Sequence, residues 1–372
     1  MVLTDILKRW QTLKGREAIL CTGTDEHGMK IQQAAEISDE DPKEFCDRVS
    51  ETFKQLAARA DLSYDHFIRT TDPDHKEAVQ HFWQLLQERG YIYEKKHQGW
   101  YSVSDETFYP ESAIEKRLDP ATGRTFMAAQ ETGIYEKKHQ GWYSVSDETF
   151  YPESAIEKRL DPATGRTFMA AQETGKEVEW TAEMTNHFRL SALKEPLLNF
   201  YKQNPQFVIP SNRMRDIERW VSEGLEDLSI SRPINRLTWG IRVPQDDSQT
   251  IYVWLDALVN YITKSGFPNA SFFDGVAGWP ADVHVIGKDI MRFHCIYWPA
   301  FLLALDLPPP KQVLTHAHWT LGHSKMAKST GNVVNPFFAM DRFGVDAMRF
   351  YLAHDGGIAD DADYSNANIV ER

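Results

Sequence analysis

Apolar positions recur along the chain in two rhythms, one helical and one extended. From Met1 to Gly15, Leu3, Ile6, Leu7 and Trp10 fall at three- and four-residue spacing, which predicts an amphipathic helix closed by Gly15. Glu17–Thr24 is a short apolar run suited to a buried strand, and His66–Thr70 is a second strand candidate. Asp41-Pro42 opens a helix with Phe45, Val49, Phe53 and Leu56 inward. Asp74–Arg89 is another, with Val79, Phe82 and Leu86 inward and Gly90 as its stop. Further on, helices are predicted at Trp180–Tyr201, Asn212–Gly224, Asp289–Leu305 and Phe338–Leu352, and strands at Thr250–Trp254, His284–Ile286 and Gln312–Thr315. Strands alternating with helices predict an α/β fold, a Rossmann-like doubly wound parallel sheet with helices on both faces.

A repeat interrupts this pattern. Residues 92–133 recur at 134–175, identical at all 42 positions. Solenoid repeats drift in sequence and need about three or more units to bury a continuous core. Two perfect copies resemble instead a recent duplication or an assembly error. Removing one leaves 330 residues and a net charge of −11. The repeat-bearing stretch reads as an insertion between the two halves of the sheet.

Composition narrows the class. Hydrophobic residues make up 42% of the 372, enough for a core and against intrinsic disorder. The longest apolar run, Ile296 to Leu305, contains Pro299 and is too short for a transmembrane helix. The net charge of −13 argues against general coating of nucleic acid, while leaving room for a local basic groove. Cys21, Cys46 and Cys295 lie far apart without a CxxC, so neither a disulfide framework nor a zinc knuckle is expected.

Candidate chemistry falls at the carboxyl ends of the predicted strands, where open parallel sheets bind ligands. Thr22-Gly23-Thr24-Asp25-Glu26-His27-Gly28 follows the first strand, and Asp25 there either holds a substrate ammonium group or caps the next helix. Gly287-Lys288-Asp289 joins a strand to a helix start, a place for anions and ribose hydroxyls. Ile290, His294 and Trp298 share a helix face, on which a core histidine is the commoner reading. Lys325-Met326-Ala327-Lys328-Ser329 lies between glycines and suits a polyphosphate clamp or a solvated basic loop, but it is not a Walker A motif. Tyr252-Val253-Trp254-Leu255-Asp256-Ala257-Leu258-Val259-Asn260-Tyr261 passes from strand to helix, with aromatic residues that on spacing alone read as core.

Together, TGTDEHG, FIRTTDPDH, DLSISRP, YVWLDALVNY, IGKDIMRFHCIYWPA and KMAKSTGNVVNP are far more specific than any one segment. In this order they resemble a methionyl-tRNA synthetase, a class I aminoacyl-tRNA synthetase, and most of all the fungal mitochondrial form. The resemblance implies that methionine, ATP with Mg²⁺ and tRNA(Met) are the substrates and partners, in the mitochondrial matrix, with no structural zinc or other metal site. It implies that Asp25 binds the methionine α-amino group and that Arg232 belongs to the same centre. Trp254, Ala257, Leu258, Tyr261, Ile290 and His294 match the methionine side-chain pocket. Gly287 and Asp289 match the adenosine-ribose contacts, and Lys325, Lys328 and Ser329 the KMSKS loop, with Lys328 on pyrophosphate. Activation is attack by the substrate's own carboxylate on the ATP α-phosphate, so positioning and charge stabilisation suffice.

The resemblance also divides the chain. Residues 1–90 correspond to the first part of the Rossmann catalytic domain, 91–226 to a connective-peptide insertion, and 227–310 to the second part. Residues 311–352 correspond to the KMSKS region and 353–372 to the start of a helical anticodon-binding domain. The family's H-x-G-H signature belongs just before the first helix, and no such tetrapeptide occurs in the sequence. The expectation is therefore of a catalytic domain without its first strand and ATP-contacting histidines, Met1 being an internal methionine. Such a chain is impaired in activation. The rival readings are a non-catalytic pseudo-synthetase or a fragmentary gene model keeping only the fold, a class I synthetase for leucine, isoleucine, valine or cysteine, and a P-loop nucleotidase.

Overall fold

The computed structural model describes residues 1–97, 183–269, 272, 278–326 and 332–371, and between 100 and 180 the backbone of the strands given below. The chain forms two compact units, Met1–Ile92 with Phe188–Arg372, and Tyr93–His187. The second unit is narrower than the insertion expected at 91–226, because the helices that follow it pack into the core of the first.

In the first unit, α1 (Val2–Leu13) precedes β1 (Cys21–Thr24), which pairs in parallel with β2 (His66–Arg69), Cys21 opposite His66. Two helices link these strands, α2 (Met29–Ile37) and α3 (Pro42–Arg59). Asp41 starts α3 because its carboxylate accepts from the Lys43 and Glu44 amides while Pro42 supplies a preset φ. α4 (Pro73–Glu88) buries Ala78, Val79, Phe82, Trp83 and Leu86. After the insertion come α5 (Lys194–Gln203), β3 (Val208–Ile209) and α6 (Ser211–Glu223). An antiparallel ribbon of Ser231–Pro233, Arg242–Val243 and Asp246–Ile251 then feeds α7 (Val253–Thr263). β4 (His284–Gly287) and β3 both pair in parallel with β5 (Val313–His316), and α8 (Trp298–Ala304) lies between β4 and β5 in the chain. α9 (Pro336–Phe343) and α10 (Val345–His354) follow. Parallel pairing with helical crossovers is the expected class I synthetase architecture.

Four predicted elements differ from the structure, each for a physical reason. Trp180–Tyr201 is not one helix: Glu183–Phe188 is a strand, Leu190–Leu193 a 3₁₀ turn, and α5 begins at Lys194. The strand's buried side is carried by Thr185 and His187 with Met184 exposed, an alternation that hydrophobicity does not display. The strand expected at Thr250–Trp254 ends at Ile251 and α7 begins at Val253, one apolar run spanning both elements. Asp289–Leu305 is a 3₁₀ turn (Lys288–Ile290), a π turn (Phe293–Tyr297) and α8 rather than a regular helix. Phe338–Leu352 is broken at Gly344, whose φ of 86° no helix interior adopts.

In the second unit the two copies of the repeat fold alike. Trp100–Ser102 pairs with Thr107–Tyr109, Trp100 opposite Tyr109, and Gly141–Ser144 pairs with Thr149–Pro152, Trp142 opposite Tyr151. Ile114–Leu118 pairs with Thr125–Ala129, and Ile156–Leu160 with Thr167–Ala171, again in the same register. Their neighbours differ. Tyr135–Glu136, which opens the second copy, pairs with the closing strand of the first. Gly141–Ser144 pairs on its other side with Glu179–Trp180. Among the described residues no helix is long and apolar enough to cross a membrane.

Candidate active site

The turn after β1 splits its polar residues between solvent and interior. Asp25 is exposed, whereas Glu26 and His27 are 3% and 5% exposed. The Glu26 carboxylate accepts two bonds from Arg69 (2.7 and 2.9 Å) and one from Thr71 (2.6 Å), so β2 clamps the turn. Trp239 adds a bond from Nε1 to the Glu26 carbonyl at 2.6 Å. Asp25 is left at the edge, close enough for its charge to help push the Tyr261 hydroxyl pKa upward behind the larger effect of burial.

Tyr261 belongs to α7, and its hydroxyl lies 2.7 Å from His294 Nε2. His294 sits in the π turn, where backbone donors shift to the carbonyl five residues back. The Ile290 carbonyl accepts from His294 Nδ1–H at 2.9 Å. That bond fixes the tautomer, leaving Nε2 to accept from Tyr261. Burial depresses the His294 pKa to about 4, so the imidazole is neutral at pH 7. Trp254 stacks on Phe293 with ring centroids 3.6 Å apart and meets His294 edge-on at 6.5 Å. Ala257 and Ile290 are half-buried, while Leu258 is 1% exposed and packs in the core. Trp254, Tyr261, Ile290 and His294 thus come together. Arg232 is buried, with Nη1 bonded to Ser229 Oγ (3.0 Å) and the Ser231 carbonyl (2.7 Å) and its guanidinium over the Tyr252 ring.

The second edge lies at the ends of β4 and β5. The Asp289 carboxylate is 3.1 Å from His318 Nε2, and a Cβ on Gly287 would stand 2.6 Å from Asp289 Oδ1, so any larger residue there would have to displace the Asp289 carboxylate. Lys288 pairs with Asp361 at 2.7 Å, and the same carboxylate accepts the His318 amide at 2.8 Å. His318 went unnoticed in the sequence; its signal is the alternation of His316 and His318 just past an apolar strand. Lys325 lies in a hairpin, Trp319–Leu321 against Ser324–Lys325, closed by Gly322 and His323, both with positive φ as a type I′ turn requires. Lys328 and Ser329 lie outside the described residues. Among the described residues no group of three His, Cys, Asp or Glu side chains is placed to hold a metal ion.

One buried cluster was not anticipated. Asp256 on α7 accepts from His27 Nδ1 (2.6 Å) and His75 Nε2 (2.7 Å). Burial would raise the Asp256 pKa, but attraction to His27 and hydrogen bonds from both imidazoles hold it at about 2. In the sequence Asp256 is one carboxylate in an apolar run, and nothing marks its distant partners.

Short parallel sheets joined by helical crossovers, with an aromatic cluster around His294, Asp289 against His318 and a hairpin carrying Lys325, make up an α/β architecture of the class I synthetase kind. The model of the tRNA synthetases class I (M) family matches residues 1–125 and 119–372, and the chain belongs to this methionyl-tRNA synthetase family. The chain is 57% identical over 367 residues to the probable mitochondrial methionine–tRNA ligase of Neurospora crassa, covering 98% of this chain and 52% of that protein. It is 42% identical over 373 residues to the human mitochondrial methionine–tRNA ligase, covering 100% of this chain and 55% of that one. It resembles Mycobacterium tuberculosis methionyl-tRNA synthetase bound by methionyl-adenylate, with 36% identity and a TM-score of 0.73, over 100% of this chain and 63% of the other. The chain therefore spans about half the length of these curated relatives.

Proposed function

We propose that the chain carries the amino-acid-activating centre of a mitochondrial methionine–tRNA ligase. The methionine carboxylate attacks the α-phosphate of ATP, the bond to the β-phosphate breaks, and methionyl-adenylate and pyrophosphate form. The methionyl group then passes to tRNA(Met), in the mitochondrial matrix. Asp25 takes the α-ammonium group, with Arg232 in the same centre. Trp254, Ala257, Leu258, Tyr261, Ile290 and His294 take the side chain. Gly287 and Asp289 take the ribose, and Lys325, Lys328 and Ser329 the phosphates of ATP, which enters with Mg²⁺ as substrate.

The observation that carries this reading is the Tyr261–His294–Ile290 hydrogen-bond chain set among stacked aromatic rings, with Asp25 at its open edge. A thioether is apolar and polarisable with a weakly accepting sulfur, and it suits aromatic faces with one polar tip. Leucine, isoleucine and valine have no use for that tip, so a pocket holding it favours methionine over them. Calorimetric titration tests this: methionine is expected to bind and the branched aliphatic amino acids to bind far more weakly. Equal affinity for leucine would remove the reading.

The 372-residue polypeptide contains no H-x-G-H. Removing one preorganised charge contact costs on the order of 10²–10³ in rate, so its methionine-dependent ATP–pyrophosphate exchange is expected to be weak or absent. Exchange at the rate of a full-length relative would overturn that expectation. A non-catalytic pseudo-synthetase predicts in addition that an upstream segment carrying H-x-G-H fails to restore exchange.

A further inference from the structure

Three buried side chains from three separated elements close on one another beside the ammonium site. Asp256 is 0% exposed and both its oxygens are occupied, Oδ2 by His27 and Oδ1 by His75. His75 stands in the first turn of α4, and its Nδ1 lies 3.1 Å from Thr263 Oγ1 near the end of α7. His27 meets the Trp239 ring edge-on at 5.5 Å and follows Asp25 by two residues. The charges that act on His27 are Asp256 first, then Asp25 and Lys76. A buried carboxylate is tolerated only when paired, and here the pairing joins the β1 turn, α4 and α7. Asp256 also lies five residues before Tyr261 on the same helix.

We infer that Asp256 is the positioning residue of the ammonium site: by holding His27 it fixes where Asp25 stands relative to the helix that carries Tyr261. It thereby couples recognition of the α-ammonium to recognition of the thioether. The inference rests on the reading of Asp25 given above. His75, gripping the other oxygen, stops the Asp256 carboxylate from rotating away from His27.

The test compares methionine with its desamino analogue, which has the same side chain and carboxylate but no ammonium. Both are titrated into the 372-residue chain and into Asp256→Asn, His27→Asn and the double variant. Loss of a charged hydrogen bond predicts a wild-type preference for methionine of about 10- to 100-fold. Asp256→Asn is expected to lose most of that preference while binding the desamino acid as before. His27→Asn is expected to do the same, and the double variant to lose no more than either. Retention of the wild-type preference by Asp256→Asn overturns the inference, as does an equal loss for both ligands, which is the mark of a merely structural role. Should Asp256→Asn not melt cooperatively, His27→Asn decides by the same two affinities. A wild-type chain that does not distinguish the two compounds overturns the reading of Asp25 itself, a different result from a preference that Asp256→Asn leaves intact.

Discussion

His284 and His294 flank Tyr261 and are both kept neutral by burial, although their hydrogen bonding differs. His294 is bonded at both ring nitrogens, whereas His284 stacks on Tyr261 at 4.1 Å with neither nitrogen bonded. Burial lowers the two pKa values to about 4 and about 3. An unfolded histidine titrates near ~6.5, so below that pH the unfolded chain binds two protons that the folded chain refuses. The contribution of these two histidines is therefore full above about pH 6.5 and falls as the solution is acidified, by about 1.4 kcal/mol per pH unit for each. His284→Phe removes one of the two and a buried unpaired polar group with it. Urea unfolding at several pH values is expected to show a shallower loss below about pH 6 and no loss of stability at neutral pH. An unchanged slope would contradict this account. The Ile290–His294 spacing was legible in the sequence because i and i+4 share a helix face. The bond from Tyr261 to His294 was not, because a contact across 33 residues leaves no local period.

The repeat separates what local sequence decides from what it does not. Identical sequences gave identical hairpins in the same register, since pairing within a hairpin depends on its own turn and its own alternation. Among the described residues, the strand at the start of each copy pairs outside its own copy. The first such strand, Ile92–His97, lies beside Glu183–Phe188, while the second, Tyr135–Glu136, takes the end of the first copy. The residues proposed to hold methionine all lie between 25 and 294 in the first unit, outside 93–187. Deleting 134–175 is therefore expected to leave methionine affinity unchanged in the remaining 330 residues, as read by calorimetry. A marked fall in affinity would show that the second copy supports the pocket. The irregular Lys288–Tyr297 segment shows the opposite case, where a clear helical period is realised as 3₁₀ and π turns, with the His294 side chain bonded back to the Ile290 carbonyl.

At the scale of the whole molecule, residues far apart in sequence are tied by one buried carboxylate. Asp5 of α1 is 0% exposed and accepts from Arg9 Nε (2.8 Å), the Ser63 amide (2.7 Å) and the Arg349 guanidinium of α10. Burial would raise its pKa, but these donors outweigh it and hold it low. Arg349 also bonds the Ala60 carbonyl at 2.8 Å, so α1, the end of α3 and α10 meet at one point. Asp5→Ala leaves that guanidinium without its counter-charge and is expected to cost about 3–5 kcal/mol in chemical unfolding. A cost within the range of an exposed ion pair, below about 1 kcal/mol, would show that the node is solvated.

The sequence by itself determined the parallel α/β class, the positions of β1, β2, β4 and β5, most helices, and the motifs that mark the family. These are carried by short-range periods and by runs of residues adjacent in the chain. It also marked Asp25, Trp254, Tyr261, Asp289 and His294 as candidates, through segments whose order along the chain is specific. Only the tertiary structure decided that Asp256 stands between His27 and His75, that Glu26 is clamped by Arg69, and that His318 reaches Asp289. Each of these bonds joins separate elements, and burial decides which polar groups must find a partner. That requirement is set by the packed interior, and no local pattern in the chain records it.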